Sequence, residues 1–254
     1  MEFMPEGDLS SHLEILGHFD EETVRIILAQ LLLALKELRE KEIVHGDIKL
    51  ENVLYSVKEG VVKLADFGLA FDINAPNKSS VLGTPEYMAP EIILESKKGF
   101  ESDIWAIGIC AYEMLFGVPP FYDESPEKIF EKIFESEKSI TLQLTDISDS
   151  AKDLIGKLLF FDYRNRISME EAMKHEFFAN IDWSKPPKIK LTEFNSIFEE
   201  RNKRYESIQF YNKETISSEI VTYEHGIFSQ KASLENQMDL LKLFPIKNLN
   251  KLKN

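Results

Sequence analysis

One loop constrains this chain more than anything else in it. The stretch Ile43-Val44-His45-Gly46-Asp47-Ile48-Lys49-Leu50-Glu51-Asn52 sets an Asp, a Lys two residues on and an Asn five residues on between two segments of opposite character. Before it, Val24, Ile27, Leu31, Leu35 and Leu38 recur at helical spacing and predict a core helix from Asp20 to about Lys41. Asp20 is a good N-cap there, and Glu21 and Glu22 suit the positive end of the helix dipole. After it, Val53-Leu54-Tyr55 and Val61-Val62-Lys63-Leu64 flank Glu59-Gly60, which predicts a β-hairpin. Such a hairpin brings Asn52 close to Asp66 of Ala65-Asp66-Phe67-Gly68, at a cleft.

Further along, residues 69–82 read as polar and irregular. Ser102 to Phe116 is nearly all apolar and predicts a buried helix, with Asp103 readable as an ordinary first-turn acid. Pro126 to Ser136, Asp149 to Phe160 and Met169 to His175 read as three amphipathic helices, and Phe177-Phe178 as the close of this part. The character changes after about residue 179, where Lys185-Pro186-Pro187-Lys188 reads as extended and the remainder is polar with scattered aromatics.

Charge follows the same division. Residues 179–254 hold 12 Lys+Arg and 10 Asp+Glu, so of the net −14 they carry +2 and residues 1–178 carry −16. Nucleic acid is not an expected partner of so acidic a segment, whereas a basic peptide is compatible with it; acidity that serves solubility alone is the plainer reading. No run of about 18 apolar residues is present, so no membrane span is expected, and the first residues lack the pattern of a signal peptide. The single Cys110 and five scattered His give neither an internal disulfide nor a zinc-like cluster, which fits an intracellular, cytoplasmic setting. Nothing in the sequence sets the oligomeric state.

Three stretches in order carry a resemblance. Asp66 follows Asp47 by nineteen residues, and seventeen after Asp66 begins Gly83-Thr84-Pro85-Glu86-Tyr87-Met88-Ala89-Pro90-Glu91. These resemble the catalytic loop, the metal-binding loop and the end of the activation segment of a eukaryotic protein kinase. The resemblance covers residues 1–178 and implies an α+β fold: the mainly α-helical large lobe, with a short β-hairpin at the catalytic cleft. Met1-Glu2-Phe3-Met4-Pro5-Glu6-Gly7-Asp8-Leu9 looks like the linker between the kinase lobes. The eleven glycines include no G-x-G pair, and Val62-Lys63 lies at a hairpin strand rather than where the phosphate-pairing Lys belongs. The N-terminal β lobe is therefore expected to be absent, and residues 179–254 to be a C-terminal tail. Two readings remain: a truncated piece of an ordinary kinase, or a catalytically inactive, kinase-like regulatory or scaffold protein.

The resemblance implies ATP and Mg²⁺ as cofactors and protein Ser/Thr as acceptors. Asp47 would take the proton of the substrate hydroxyl, Lys49 would balance charge on the transferring phosphate, and Thr84 would contact both. Asn52 and Asp66 would hold the metal. Glu2 and Met4 would bind adenine through backbone groups, with Leu54 as the floor. Asp8 has two readings, a ribose- and substrate-Arg-binding acid or a cap for the next helix. Glu113 would read a substrate Arg, which together with Asp8 implies basic residues before the target. Glu91 and Arg166 would form a buried structural pair, and Asp103 would bond to backbone of the catalytic loop. The chain departs from the family pattern at Gly46, where an Arg normally pairs with a phosphate on the activation segment. Ser79 and Ser80 lie where that phosphosite often sits, with Ser80 the better match, and the missing Arg puts a phosphate switch in doubt. Gly83 to Tyr87 and Phe177 to Trp183 are similar to the AGC group, while Leu82 and Ile104-Trp105 depart from it. Phe194 and Phe198 form no clean docking motif, and residues 240–253 are a weak calmodulin-binding candidate.

Overall fold

Two signals decide where this chain turns helical: side-chain caps and apolar stripes. The computed structural model describes residues 4, 6–56, 59–75, 83–136 and 146–189. Glu2, Ser79, Ser80, Leu82, Phe194, Phe198 and residues 240–253 lie outside them. So do all residues from 190 to 254.

Helix α1 is Leu9–Leu16, capped by Asp8, and α2 is Glu21–Glu40, capped by Asp20 as its sequence predicts. Strand β1 (Ile43–Val44) leads into the loop, and β2 (Val53–Ser56) and β3 (Val61–Leu64) form the hairpin, with Val53 opposite Leu64 and Ser56 opposite Val61. Strand β4 (Phe71–Asp72) pairs antiparallel with β1, Val44 opposite Phe71. That pairing corrects the reading of 69–82 as wholly irregular. Two residues are too few to show a strand period, and their partner lies far back in sequence.

Beyond the loop come α3 (Pro90–Glu95), α4 (Phe100–Phe116), α5 (Pro126–Glu135), α6 (Asp149–Leu158) and α7 (Met169–Ala172). Helix α4 starts two residues earlier than its apolar run suggests, because Ser102 Oγ both accepts from Gly99 N and donates to Gly99 O. It is buried along nearly its whole length, and Trp105, Ile109, Cys110 and Ala111 have no exposure. Gly108 is required on packing grounds, since a Cβ there would lie 2.7 Å from Leu159 Cδ2. Helix α7 is shorter than the predicted Met169–His175. A capping box of Ser168 and Glu171 starts it, and the His175 ring then caps a 3₁₀ turn at Glu176–Phe178.

The residues after Phe178 stay with the lobe as far as they are described. Buried Gln30 of α2 accepts from Val62 N at 2.6 Å and donates to Pro187 O at 2.7 Å, and Ile189 N donates to Gly60 O at 3.0 Å. One amide side chain thus ties the hairpin and the chain's continuation to α2.

Glu91 and Arg166 meet in the core between α3 and α4, both side chains essentially without exposure. Arg166 NH1 and NH2 bond the two Glu91 oxygens at 2.7 and 2.9 Å. The other donors reach Glu101 O, Phe160 O and Phe161 O, and the guanidinium lies 5.0 Å from the centre of the Trp105 ring. All five guanidinium N–H groups have an acceptor. Removing one partner strands a buried charge, at a cost of about 3–5 kcal/mol. Arg166→Ala is therefore expected to lower unfolding stability by that amount in chemical denaturation, and an unchanged midpoint would contradict the pairing.

Candidate active site

The loop between β1 and β2 hangs on a single carboxylate. Asp103 of α4 accepts from His45 N at 2.9 Å and from Gly46 N at 2.9 Å. Burial pushes this carboxyl up to about 6, while the two backbone bonds and Lys98 pull the other way. Its neighbour His45 is fully buried, accepts from Asp47 N through Nδ1 at 3.4 Å and contacts Ala65 O through Nε2 at 3.1 Å. A neutral ring with its proton on Nε2 satisfies both contacts, and burial does lower the His45 pKa. The ring also meets Phe67 edge-on at 4.9 Å, which joins the loop to the Asp66-Phe67-Gly68 turn.

Asp47 is held from two sides. Lys49 Nζ lies 3.1 Å from Asp47 Oδ2, and Asn52 Nδ2 donates to Asp47 Oδ2 at 3.0 Å and to Asp47 O at 2.8 Å. Lys49 Nζ also donates to Thr84 Oγ1 at 3.0 Å, so the lysine links the loop to the segment that begins at Gly83. The sequence-predicted Asp47, Lys49, Asn52 and Thr84 are brought together. Asp66 sits across the hairpin base, where Ala65 N donates to Asn52 O at 2.8 Å. Its backbone is left-handed, φ 57°, and its Oδ1 accepts from Gly68 N at 3.1 Å.

Among the described residues no three His, Cys, Asp or Glu side chains cluster as a metal cage. Mg²⁺ does not require one: it is commonly held by one or two protein oxygens together with substrate phosphates and water. With its Nδ2 committed to Asp47, Asn52 has its amide oxygen as the remaining donor atom to a cation. That oxygen and the exposed Asp66 carboxylate are hard-oxygen donors of the kind Mg²⁺ takes.

Asp8 uses both carboxylate oxygens as the α1 cap, accepting from Ser11 N at 2.8 Å and Ser11 Oγ at 3.0 Å. It also bridges to Leu54, and Gly7 O accepts from Tyr55 N at 3.0 Å, which docks the expected linker on the hairpin. Met4 O accepts from Gly7 N at 3.2 Å. Glu113 lies buried in α4, where it accepts from Tyr87 Oη. Burial pushes its carboxyl up to about 7, with Glu51 and Glu86 adding to the rise and the Tyr87 bond opposing it. Glu51, which sequence reasoning passed over, keeps an exposed surface, yet crowding by the surrounding protein raises its carboxyl. Its place one residue before Asn52 was the available signal.

A family model described as the protein kinase domain matches residues 1–178. The chain belongs to the protein kinase family. It is 38% identical over 196 residues to the mouse cAMP-dependent protein kinase catalytic subunit PRKX, a match that covers 75% of this chain and 54% of that protein. It is 37% identical over 189 residues to protein kinase 2 of Dictyostelium discoideum, covering 73% and 39%, respectively. A probable serine/threonine protein kinase of Arabidopsis thaliana, IRE4, is 35% identical over 215 residues, 72% of this chain and 20% of that protein. The kinase-family chain thus spans about half the length of the first of these relatives and less of the others.

A raised carboxyl has a definite sign in stability. The folded state holds the Glu113 proton up to about pH 7 while the unfolded chain releases it near 4.5, so stability falls as pH rises across that window. Glu113→Gln removes this loss. Its stability relative to wild type is expected to grow between pH 4.5 and 7. The gain is a few kcal/mol at most, because each tenfold difference in proton affinity between the folded and unfolded states is worth about 1.4 kcal/mol. A difference that stays flat with pH would contradict the assignment.

Proposed function

We propose that this chain forms the large lobe of a serine/threonine protein kinase that transfers the γ-phosphoryl group of ATP to a protein Ser or Thr. The observation that carries the reading is the Asp47 carboxylate, set between Lys49 and Asn52, with Lys49 in turn bonded to Thr84. Phosphoryl transfer asks little covalent work of a protein; it asks for position and for charge of the right sign. Asp47 orients the acceptor hydroxyl and takes its proton as the oxygen–phosphorus bond forms and the bond to the β-phosphate oxygen breaks, leaving ADP. Lys49 faces the charge of the transferring group, and Thr84 fixes Lys49. Mg²⁺ bound by Asn52 and Asp66 would supply neutralisation of the phosphate oxygens. On this reading backbone groups of Met4 and Glu2 would bind the adenine over Leu54, and Asp8, whose oxygens cap α1 in this structure, would have to exchange that cap for a ribose contact.

The Glu51 and Glu86 carboxylates add to the rise that burial imposes on Glu113, an acidic setting that an Arg of the substrate would offset. On this basis the substrate carries Arg or Lys before the target. The family's Arg is replaced by Gly46, so we assign no phosphate switch to Ser80. The domain division at residue 178, with residues 179–254 as a tail, belongs to the same reading.

The test is transfer from radiolabelled ATP by the full-length protein onto a Ser/Thr peptide library. Label is expected on peptides with basic residues before the acceptor, and Asp47→Asn is expected to cut kcat by about 10²–10⁴, the usual effect of a positioned general base. Transfer that Asp47→Asn leaves intact would remove Asp47 from its role. Transfer without any basic preference would remove the role of the acidic group alone.

A further inference from the structure

Gly46 lies in the left-handed region, φ +75°, and the space a side chain there would enter is already filled. A Cβ on Gly46 would lie 3.1 Å from Leu69 O, 3.6 Å from Lys98 Nζ and 3.8 Å from Phe71 Cε1. The cation in that space comes from the link between α3 and α4. Lys98 is buried, and its Nζ donates to Gly46 O at 3.1 Å. We propose that Lys98 is a positioning residue for Asp47: its ammonium clamps the Gly46 carbonyl and so fixes the Gly46–Asp47 peptide that carries the carboxylate. The inference rests on the kinase reading of Asp47, and its test is built to fail separately from that reading.

Glycine is the residue least able to hold its own backbone, so the loop at this point depends on outside contacts. It has one on each side. Asp103 of α4 takes the Gly46 N–H at 2.9 Å, and Lys98, just before α4, takes the carbonyl at 3.1 Å. Both clamps therefore issue from one end of the buried helix. The charges agree with this placement. Among the described residues the Asp47 and Asp103 carboxylates act on Lys98; both favour its charged form, although burial opposes it and sets the lowered pKa. A cation between two carboxylates also eases the repulsion that would otherwise act across the loop. Hydrogen bonds from charged donors are the stronger kind, which suits a clamp on a backbone carbonyl.

Lys98→Met keeps the length and most of the apolar stem and removes the ammonium; Lys98→Arg keeps the charge. Hydrogen exchange followed by mass spectrometry is expected to show peptides covering residues 43–52 exchanging about tenfold faster in Lys98→Met, as loss of a charged hydrogen bond implies. Peptides from α2 and α6 should be unchanged, and Lys98→Arg should restore protection. In the transfer assay Lys98→Met should lower kcat by about 10- to 100-fold, the cost of misplacing a catalytic group, with KM for peptide within about twofold. If Lys98→Met does not fold, Lys98→Gln carries the same comparison. Equal exchange of residues 43–52 in wild type and variant overturns the proposal, as does uniform acceleration of every peptide. A wild-type protein with no transfer at all would sink the kinase reading and leave the exchange result to judge the clamp by itself.

Discussion

A carboxylate almost withdrawn from water organises this molecule. Asp103 stands on α4, the buried helix against which α2 and α6 pack, and gives both oxygens to the backbone of the loop that carries Asp47. Burying a charged group is costly unless hydrogen bonds replace its water, and the two amides do so only in part, since the carboxyl remains pushed up to about 6. The penalty is local and the result is geometric. A loop of uneven backbone, with Gly46 left-handed, is fixed to the most deeply buried element of the fold.

A second buried charge serves the other side of α4. Arg166 gives every N–H to an acceptor, two of them to Glu91, and thereby ties α3 to the start of α4 and to the chain after α6. The segment that contains Thr84 runs directly into α3, so this pair also sets where Thr84 meets Lys49. Asp47 is thus located through two routes that share no residue: Asp103 through the loop backbone, and Glu91–Arg166 through Thr84 and Lys49. Agreement between the two is what makes one arrangement of the site the stable one.

Much of this was legible in the residues. The caps Asp20 and Asp8, the stripe from Val24 to Leu35 and the apolar runs around Glu59-Gly60 are local signals, and the elements stand where those signals lie. The order of the Asp47, Asp66 and Gly83 stretches marked the site, because each depends on residues close together in sequence. What escaped depends on distance. Phe71-Asp72 becomes a strand only because Ile43-Val44 is beside it, and no short-range period could announce that. Lys98 reads as one of two lysines in a polar link, yet fills space beside Gly46, fifty-two residues earlier in the chain. Glu51 likewise raises the Glu113 carboxyl only because the fold brings α4 close to the loop. Asp103 lay between these cases: the residues alone allowed an ordinary first-turn acid, the resemblance implied bonds to the loop backbone, and the fold has those bonds.

The dependence of the loop on Asp103 can be measured directly by amide hydrogen exchange at single-residue resolution, comparing the wild type with Asp103→Asn. The two amides bond different oxygens of Asp103; an asparagine replaces one of those oxygens with an NH₂ donor and carries no charge. The His45 and Gly46 amides are expected to be among the slowest outside the helices in the wild type. In the variant they should exchange about 10- to 100-fold faster, the range for hydrogen bonds to a charged acceptor, while amides within α4 hold their rates. Unchanged rates at His45 and Gly46 would mean that the loop holds itself, and would contradict the role of Asp103 as its support.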